Sequence, residues 1–173
     1  MRSPALLLLA AFVAVPASGQ ALKGHNSNAP VDVAADRIEV QDRADRAIFS
    51  GNVQVKQAGL DLSAARLTVA YDNGGSGVSI RRLDATGGVV VRSATETARG
   101  NIAIYDLPRR IITMVGGVQL TRQGSVVNGG RLVIDLDTGR AVVDGSAAGG
   151  APGTSQGAGG RVTGRFTVTQ RPQ

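Results

Sequence analysis

Few side chains of this 173-residue sequence could support catalysis. Its one histidine, His25, lies in a polar, irregular segment where a general base would have no second group to orient it. Asp135 and Asp137 are close together on one predicted strand face and could offer carboxylates to Ca²⁺, but aspartates that cap a turn are far commoner. The sequence also has no cysteine and no tryptophan. We therefore predict no enzymatic activity, no metal site and no cofactor.

The glycines and the positive charge do not indicate a nucleotide or nucleic-acid site. Residues Gly74-Gly75-Ser76-Gly77 lack both the Lys-Ser/Thr pair and the helix that a phosphate-binding loop requires. Lys and Arg (19) exceed Asp and Glu (13), for a net charge of +6, but the basic residues are scattered and aromatic residues make up only 3% of the chain. Proteins that bind single strands stack the bases on aromatic rings. The charge favours anionic partners by electrostatic steering, and we expect no nucleic acid among them.

The first residues have the pattern of a secretory signal peptide. Arg2 provides the positive region, Ala5 to Val15 provide the apolar region, and small residues follow. We predict a signal peptide over residues 1–19, with cleavage as late as residue 21, and a flexible lead-in over residues 20–29. An uncleaved membrane anchor is the alternative, although the apolar run is short for a bilayer span and Pro16 ends it. An exported chain without cysteines suits a bacterial periplasm.

Apolar residues alternate with polar or small ones along most of the chain after Pro30, which is the period of a β-strand. Strand-like segments end at Asp42, Asp72, Asp106 and Asp137, which indicates a repeating unit of about thirty residues. Residues 48–72 also align with residues 113–137, two units further along the chain. One such repeat looks like a hairpin pair that is too small to bury a face alone, so we expect neighbouring repeats to share one core. Three boxes of the form Gly-x-Val-x-aliphatic mark the repeat: Gly51–Val55, Gly87–Val91 and Gly116–Leu120.

These patterns predict an all-β fold with one domain. We expect an antiparallel sheet over residues 30–145, with one face buried and the other in water. Residues 146–160 are rich in Gly, Ser and Ala and cannot offset the entropy cost of ordering, so we predict a mobile loop there. Residues 161–173 are predicted to form a terminal edge strand and a tail.

The apolar face of this sheet has two possible uses. It can be filled as an ordinary core, or it can leave a slot for acyl chains, because Val and Leu dominate the sequence and large rings are nearly missing. If the slot exists, the residues that bind lipid are the apolar residues that share one face of each strand. These are Val31, Val33, Ile38, Val53, Val55, Leu60, Leu62, Leu67, Val69, Val89, Val91, Ile102, Ile104, Val118, Leu120, Leu132 and Ile134.

The chain resembles the OstA-like family over about residues 29–168. The segments that carry the resemblance are Pro30–Ile38, Ser50–Gln57, Ala64–Val69 and Gly129–Ile134, in this order after a leader. The sequence departs from the family pattern at Gly117, where asparagine is usual, at the Gly129-Gly130 pair, and in the long Gly-rich insert before the last strand. These departures leave the partner of the last strand open.

The resemblance implies a twisted, slightly open antiparallel β-jellyroll with an apolar internal groove. Family members carry lipopolysaccharide across the periplasm, with its acyl chains in the groove. The resemblance also implies an inner-membrane export complex as the partner at the N-terminal edge, an outer-membrane translocon at the C-terminal edge, and head-to-tail self-association by strand addition. It places Val31 and Ile104 at positions that contact the lipid.

Two alternatives remain open from the sequence. A membrane-anchored component of the same export pathway would share the fold but keep its N-terminal helix. A structural β-scaffold would have the same strands around a filled core.

Overall fold

The computed structural model describes residues 25–74, 77–145 and 161–166. The predicted signal peptide, the Gly-rich segment 146–160 and the end of the tail lie outside the described residues. Within the described ranges, the regular elements are strands apart from a 3₁₀ turn at Asp42–Ala44. No helix in these ranges is long and apolar enough to cross a bilayer.

The strands of the described chain form one antiparallel sheet of ten strands. The strand order is β1-β3-β4-β5-β6-β7-β8-β10, with β2 beside β3 and β9 beside β8. The all-β, antiparallel prediction is confirmed. The strands are β1 (Asp32–Ala34), β2 (Arg37–Gln41), β3 (Arg46–Gln57), β4 (Leu60–Gly74), β5 (Gly77–Arg92), β6 (Glu96–Asp106), β7 (Ile111–Arg122), β8 (Ser125–Asp135), β9 (Arg140–Asp144) and β10 (Thr163–Arg165).

The long strands bend at one level of the sheet, and the bend coincides with the three glycine boxes. In β3, β5 and β7, two residues bulge opposite a single residue of the following strand. All six bulged residues have a positive φ, between 46° and 86°. Glycine adopts this conformation without strain, and asparagine does so at small cost. The bulged pairs are Gly51-Asn52 opposite Ala65, Gly87-Gly88 opposite Asn101, and Gly116-Gly117 opposite Gly130.

The bend divides the sheet into two walls whose inward faces pack against each other. The hydroxyl of Tyr105 in one wall donates to Oε1 of Gln57 in the other, at 3.1 Å. Ile134 lines the same small void as Leu60 and Leu120 of the opposite wall. Wall A contains β2, β9 and residues 46–50, 66–74, 77–86, 102–106, 111–115 and 131–135, and wall B contains β1, β10 and residues 53–57, 60–64, 89–92, 96–100, 118–122 and 125–129.

The rim of wall A, which lies away from the bend, is tied together by hydrogen bonds between successive turns. Asp135 caps the last turn, because its Oδ1 accepts from the backbone N–H groups of Asp137 and Thr138 at 2.9 and 3.0 Å. These bonds give Asp135 the turn-capping role that the sequence favoured over a Ca²⁺ site. The backbone N–H groups of Tyr71, Leu107 and Leu136 donate to the carbonyl oxygens of Asp45, Arg81 and Arg110, at 3.0, 3.1 and 2.9 Å.

Candidate functional site

The inward side chains of wall A form two apolar rows that run from one edge of the sheet to the other. Residues paired across antiparallel strands point to the same face, so the rows follow from the strand register. The first row is Ile38, Phe49, Leu67, Ala85, Ala103, Met114, Leu132 and Val143. The second row is Val40, Ala47, Val69, Leu83, Tyr105, Ile112, Ile134 and Ala141.

Wall B contributes a third apolar row that faces the other two. Polar side chains border this row on the rim side, where Gln57 and Glu96 are buried and Arg122 is half-buried. The interior is therefore apolar in its centre and carries polar groups along one rim. The row is Val33, Val55, Leu62, Val91, Ala98, Leu120, Val127 and Gly164.

Most of the residues that the sequence selected face this interior. Val31 and Val33 are half-buried and pack against the core. Ile38 belongs to the first inward row, but it lies on the outermost strand of wall A and is 56% exposed. The buried members of the selected set are Val53, Val55, Leu60, Leu62, Leu67, Val69, Val89, Val91, Val118, Leu120, Leu132 and Ile134.

Ile102 and Ile104 are the exceptions, because they lie on the outer face of wall A. Their neighbours Ala103 and Tyr105 are 1% and 3% exposed and take the inward positions, whereas Ile102 is 39% exposed. In β6, the inward residues are even-numbered before the bend, as Ala98 is, and odd-numbered after it, as Ala103 is. The change occurs because only Asn101 lies opposite the two bulged residues Gly87 and Gly88. The expectation that Ile102 and Ile104 line the interior is corrected accordingly.

The sequence also missed several inward residues. Ala85, Ala98, Ala103, Met114 and Tyr105 are buried in the apolar rows but are small, flexible or partly polar, so they did not stand out as aliphatic pairs. For Ala103 and Tyr105 the signal that could have found them is the bulge, since its two-against-one pairing reverses the inward parity of β6 at the bend.

Protein side chains fill the middle of the interior, where Leu67, Met114 and Leu132 are fully buried, and larger cavities lie toward the edges. The void lined by Leu60, Val91 and Ile134 measures about 10 Å³. A cavity of about 420 Å³ lies between residues 27–31 and the rim of wall A. A second cavity, of about 400 Å³, lies at the C-terminal edge. The apolar interior is present, whereas an open groove along its whole length stays a prediction.

Gln57 holds the chain that precedes β1 against the interior. Its side-chain amide donates to the carbonyl oxygens of Ser27 and Ala29, both at 3.0 Å, and its Oε1 accepts from Tyr105. Nε2 of His25 lies 3.2 Å from the same Oε1. Burial raises the pKa of Tyr105 above its ordinary value, while the charge of Arg110 lowers it by less. His25 thus takes part in a structural contact at the N-terminal end.

The C-terminal edge combines an apolar surface with an ion pair. The cavity there is lined by Leu120, Arg122, Gln123, Ser125, Val127, Ala141 and Phe166. Arg122 pairs with Glu96, whose side chain is 3% exposed. Phe166 follows β10 and is 70% exposed. Polar and apolar groups therefore meet at this edge.

A protein-family model matches most of the residues that form the two walls. The model is described as "LptA/(LptD N-terminal domain) LPS transport protein" and matches residues 32–140. The chain belongs to this family. The resemblance to the OstA-like family is thereby confirmed. The match to this lipopolysaccharide transport family extends from β1 to the first residue of β9 and includes all three glycine boxes.

Two known proteins are similar to this chain. An uncharacterized protein of Rhizobium meliloti is 31% identical over 125 residues, which cover 69% of this chain and 67% of the relative. The crystal structure of LptH from Pseudomonas aeruginosa superposes with a TM-score of 0.70 at 16% sequence identity, over 83% of this chain and 99% of LptH. LptH is described as the LptA-homologous periplasmic component of the conserved lipopolysaccharide transport device. This likeness shows that the transport-family chain has the same fold as LptH.

Proposed function

We propose that this lipopolysaccharide transport protein is a periplasmic carrier that shields acyl chains between its two walls on the way from the inner to the outer membrane. The supporting observation is that the apolar rows run from edge to edge of the sheet, and that large apolar side chains are exposed at both edges. Ile38 and Val40 at one end are each 56% exposed although they belong to the inward rows of wall A. Phe166 at the other end is 70% exposed.

The cost of exposing acyl chains to water explains why a carrier is needed. Each buried methylene contributes about 0.8 kcal/mol, so an acyl chain of a dozen carbons costs on the order of 10 kcal/mol to transfer to water. A chain that slides between similar apolar surfaces stays out of water throughout. Movement along the protein then needs little free energy from the carrier itself, and the driving force comes from another component.

Cargo must separate the walls, because the middle of the interior is filled. Side-chain packing joins the walls there, and the hydrogen bond from Tyr105 to Gln57 joins them on the rim side. A lipid chain would replace apolar contacts between the walls with apolar contacts of its own, so the exchange is close to neutral in buried area. The proposed lipid-contacting residues are the inward members of the set selected from the sequence, without Ile102 and Ile104.

The edges of the sheet are the proposed docking surfaces for partners. In the described chain, β1 and β2 at one edge and β9 and β10 at the other each pair with a strand on one side only. Such edges can accept a strand from another protein. We assign the inner-membrane export complex to the N-terminal edge and the outer-membrane translocon to the C-terminal edge. Copies of this chain would associate head to tail, with the C-terminal edge of one copy against the N-terminal edge of the next.

Photo-crosslinking in cells that make lipopolysaccharide tests the carrier. A photoreactive residue replaces Val53 or Leu120, which face inward, and Ile104 on the outer face serves as the matched control. We expect lipid adducts from the first two positions and none from Ile104. A folded protein without adducts at Val53 and Leu120 would show the filled-core scaffold instead, and a mature N-terminus before residue 19 would show the membrane-anchored component.

A further inference from the structure

An ion pair between a buried carboxylate and a half-buried guanidinium lies beside the apolar row of wall B. Glu96 and Arg122 are directly paired across β6 and β7, one step toward the rim from Ala98 and Leu120. The Glu96 carboxylate forms an ion pair with Nη2 of Arg122, and the two side chains are 3% and 35% exposed. The pair therefore extends from the buried interior, at Glu96, to the partly exposed rim, at Arg122.

Packing alone does not account for these charges. The cost of removing the Glu96 charge from water offsets much of its attraction to Arg122, and apolar residues of similar volume often stabilise a fold as well as, or better than, such a pair. Leu60, Val91 and Ile134 surround the small void that Glu96 also lines, so apolar side chains would suit this position. This makes a role in binding the better explanation of the pair.

The cavity next to Arg122 has one polar side and one apolar side, as a binding site for an amphiphile requires. It measures about 400 Å³. Arg122, Gln123 and Ser125 form a polar side, and Leu120, Val127 and Phe166 form an apolar side. A ligand that fills it would need an alkyl chain attached to a polar, hydrogen-bonding head.

We propose that this cavity binds the anionic head of a phosphorylated amphiphile, with the phosphate on Arg122 in exchange for Glu96 and the alkyl chain on Leu120, Val127 and Phe166. The site rests on the proposed carrier function and adds a defined position for the charged head of the cargo. Guanidinium groups bind phosphate through short, charge-assisted hydrogen bonds in a fixed geometry.

Glu96 acts in this scheme as an internal competitor. When the cavity is empty, its carboxylate holds the guanidinium at the rim of the interior. An arriving phosphate carries at least the same charge and more acceptor oxygens, so it competes for the same donors. The affinity of the site is then set by the difference between the two anions, less the cost of leaving the buried Glu96 carboxylate without its partner, and this cost favours release.

Binding of two amphiphiles with the same chain tests the site. Dodecyl phosphate and dodecyl maltoside are titrated, below their micelle-forming concentrations, into the lipid-free mature chain and into Glu96→Gln, Arg122→Lys and the double variant Glu96→Gln/Arg122→Gln. Glu96→Gln removes the competing charge and should tighten dodecyl phosphate binding by at least about fivefold. Arg122→Lys loses the fork geometry and should weaken it, and the double variant should bind it more weakly than Glu96→Gln does.

The controls separate this inference from the carrier itself. Dodecyl maltoside should bind all four proteins within about twofold of one another, because it has no charge to exchange. Inorganic phosphate has no chain and should bind at least about a hundredfold more weakly than dodecyl phosphate. If Glu96→Gln does not tighten dodecyl phosphate, or if inorganic phosphate binds equally well, the inference is overturned while the carrier stands. If neither amphiphile binds any of the four folded proteins, both are overturned.

Discussion

Tyr105 is the residue at which the two walls are joined by a specific polar contact. Its side chain is 3% exposed, and its hydroxyl donates to the buried amide oxygen of Gln57 at 3.1 Å. Burial raises its pKa, since a phenolate in apolar surroundings is poorly solvated. A phenolate also cannot donate the hydrogen bond, so ionisation would both break the contact and leave a charge between the walls.

Replacing Tyr105 with Phe should change how stability depends on alkaline pH. The pKa is raised in the folded state above the unfolded value of about 10, so the contribution of neutral Tyr105 is complete below about pH 10 and is lost as the pH rises through the folded pKa. The free energy of unfolding, measured in urea from about pH 8 to about pH 11, should therefore fall more steeply for the wild-type protein than for Tyr105→Phe. Parallel curves would contradict this role of Tyr105.

Ile102 and Ile104 show that the hydrophobicity of single residues does not predict the register of a strand. Both parities of β6 offer apolar residues at this point, since Ile102 and Ile104 alternate with Ala103 and Tyr105. Hydrophobicity favours the isoleucines, but the pairing of Asp84 with Ile104 and of Leu83 with Tyr105 decides the question. A shift of one residue reverses every side chain of a strand, and only the partner strand fixes that shift.

At the scale of the elements, the glycine boxes act as bends inside long strands. The strands themselves were predictable, because the period of two is a local property of the sequence. The bends were not, because a glycine with positive φ is equally typical of a turn. Asn52 has a φ of 46° and occupies the position at which the other boxes have Gly88 and Gly117, with φ of 67° and 61°.

The same substitution at two adjacent bend positions should have very different effects. A Cβ at Gly87 would lie 2.6 Å from the Cβ of Ala65, whereas a Cβ at Gly88 would meet nothing within 4 Å. We expect Gly87→Asn to lower the free energy of unfolding by at least about 2 kcal/mol through overpacking, and Gly88→Asn to change it by less than about 1 kcal/mol, since asparagine tolerates this backbone conformation. Urea unfolding of the two variants measures the difference. Equal losses would mean that close packing at the bend is not what requires Gly87.

At the scale of the whole molecule, the bend turns one sheet into two walls around an apolar interior. The turns of wall A are joined along its rim by the bonds at Tyr71, Leu107 and Leu136. Apolar side chains of the inward rows reach the solvent at the edges, as Ile38 and Val40 do. This arrangement suits a protein that passes hydrocarbon from one edge to the other.

The fold class and the family could be predicted at this scale, and the state of the interior could not. The boxes and the alternation are local patterns that a sequence displays directly. Whether a slot remains depends on how side chains from both walls meet across the bend. Met114 and Tyr105 come from positions that the sequence did not select, yet both are buried in the interior. Their volumes help to decide that its middle is filled.

Native mass spectrometry tests the central claim most directly. The mature chain is purified without detergent from cells that make lipopolysaccharide, and its mass is compared before and after delipidation. We expect a population heavier than the polypeptide by the mass of one lipopolysaccharide molecule, which delipidation removes and incubation with purified lipopolysaccharide restores. A folded protein that has only the mass of the polypeptide, both from cells and after that incubation, would contradict the claim that the interior carries acyl chains.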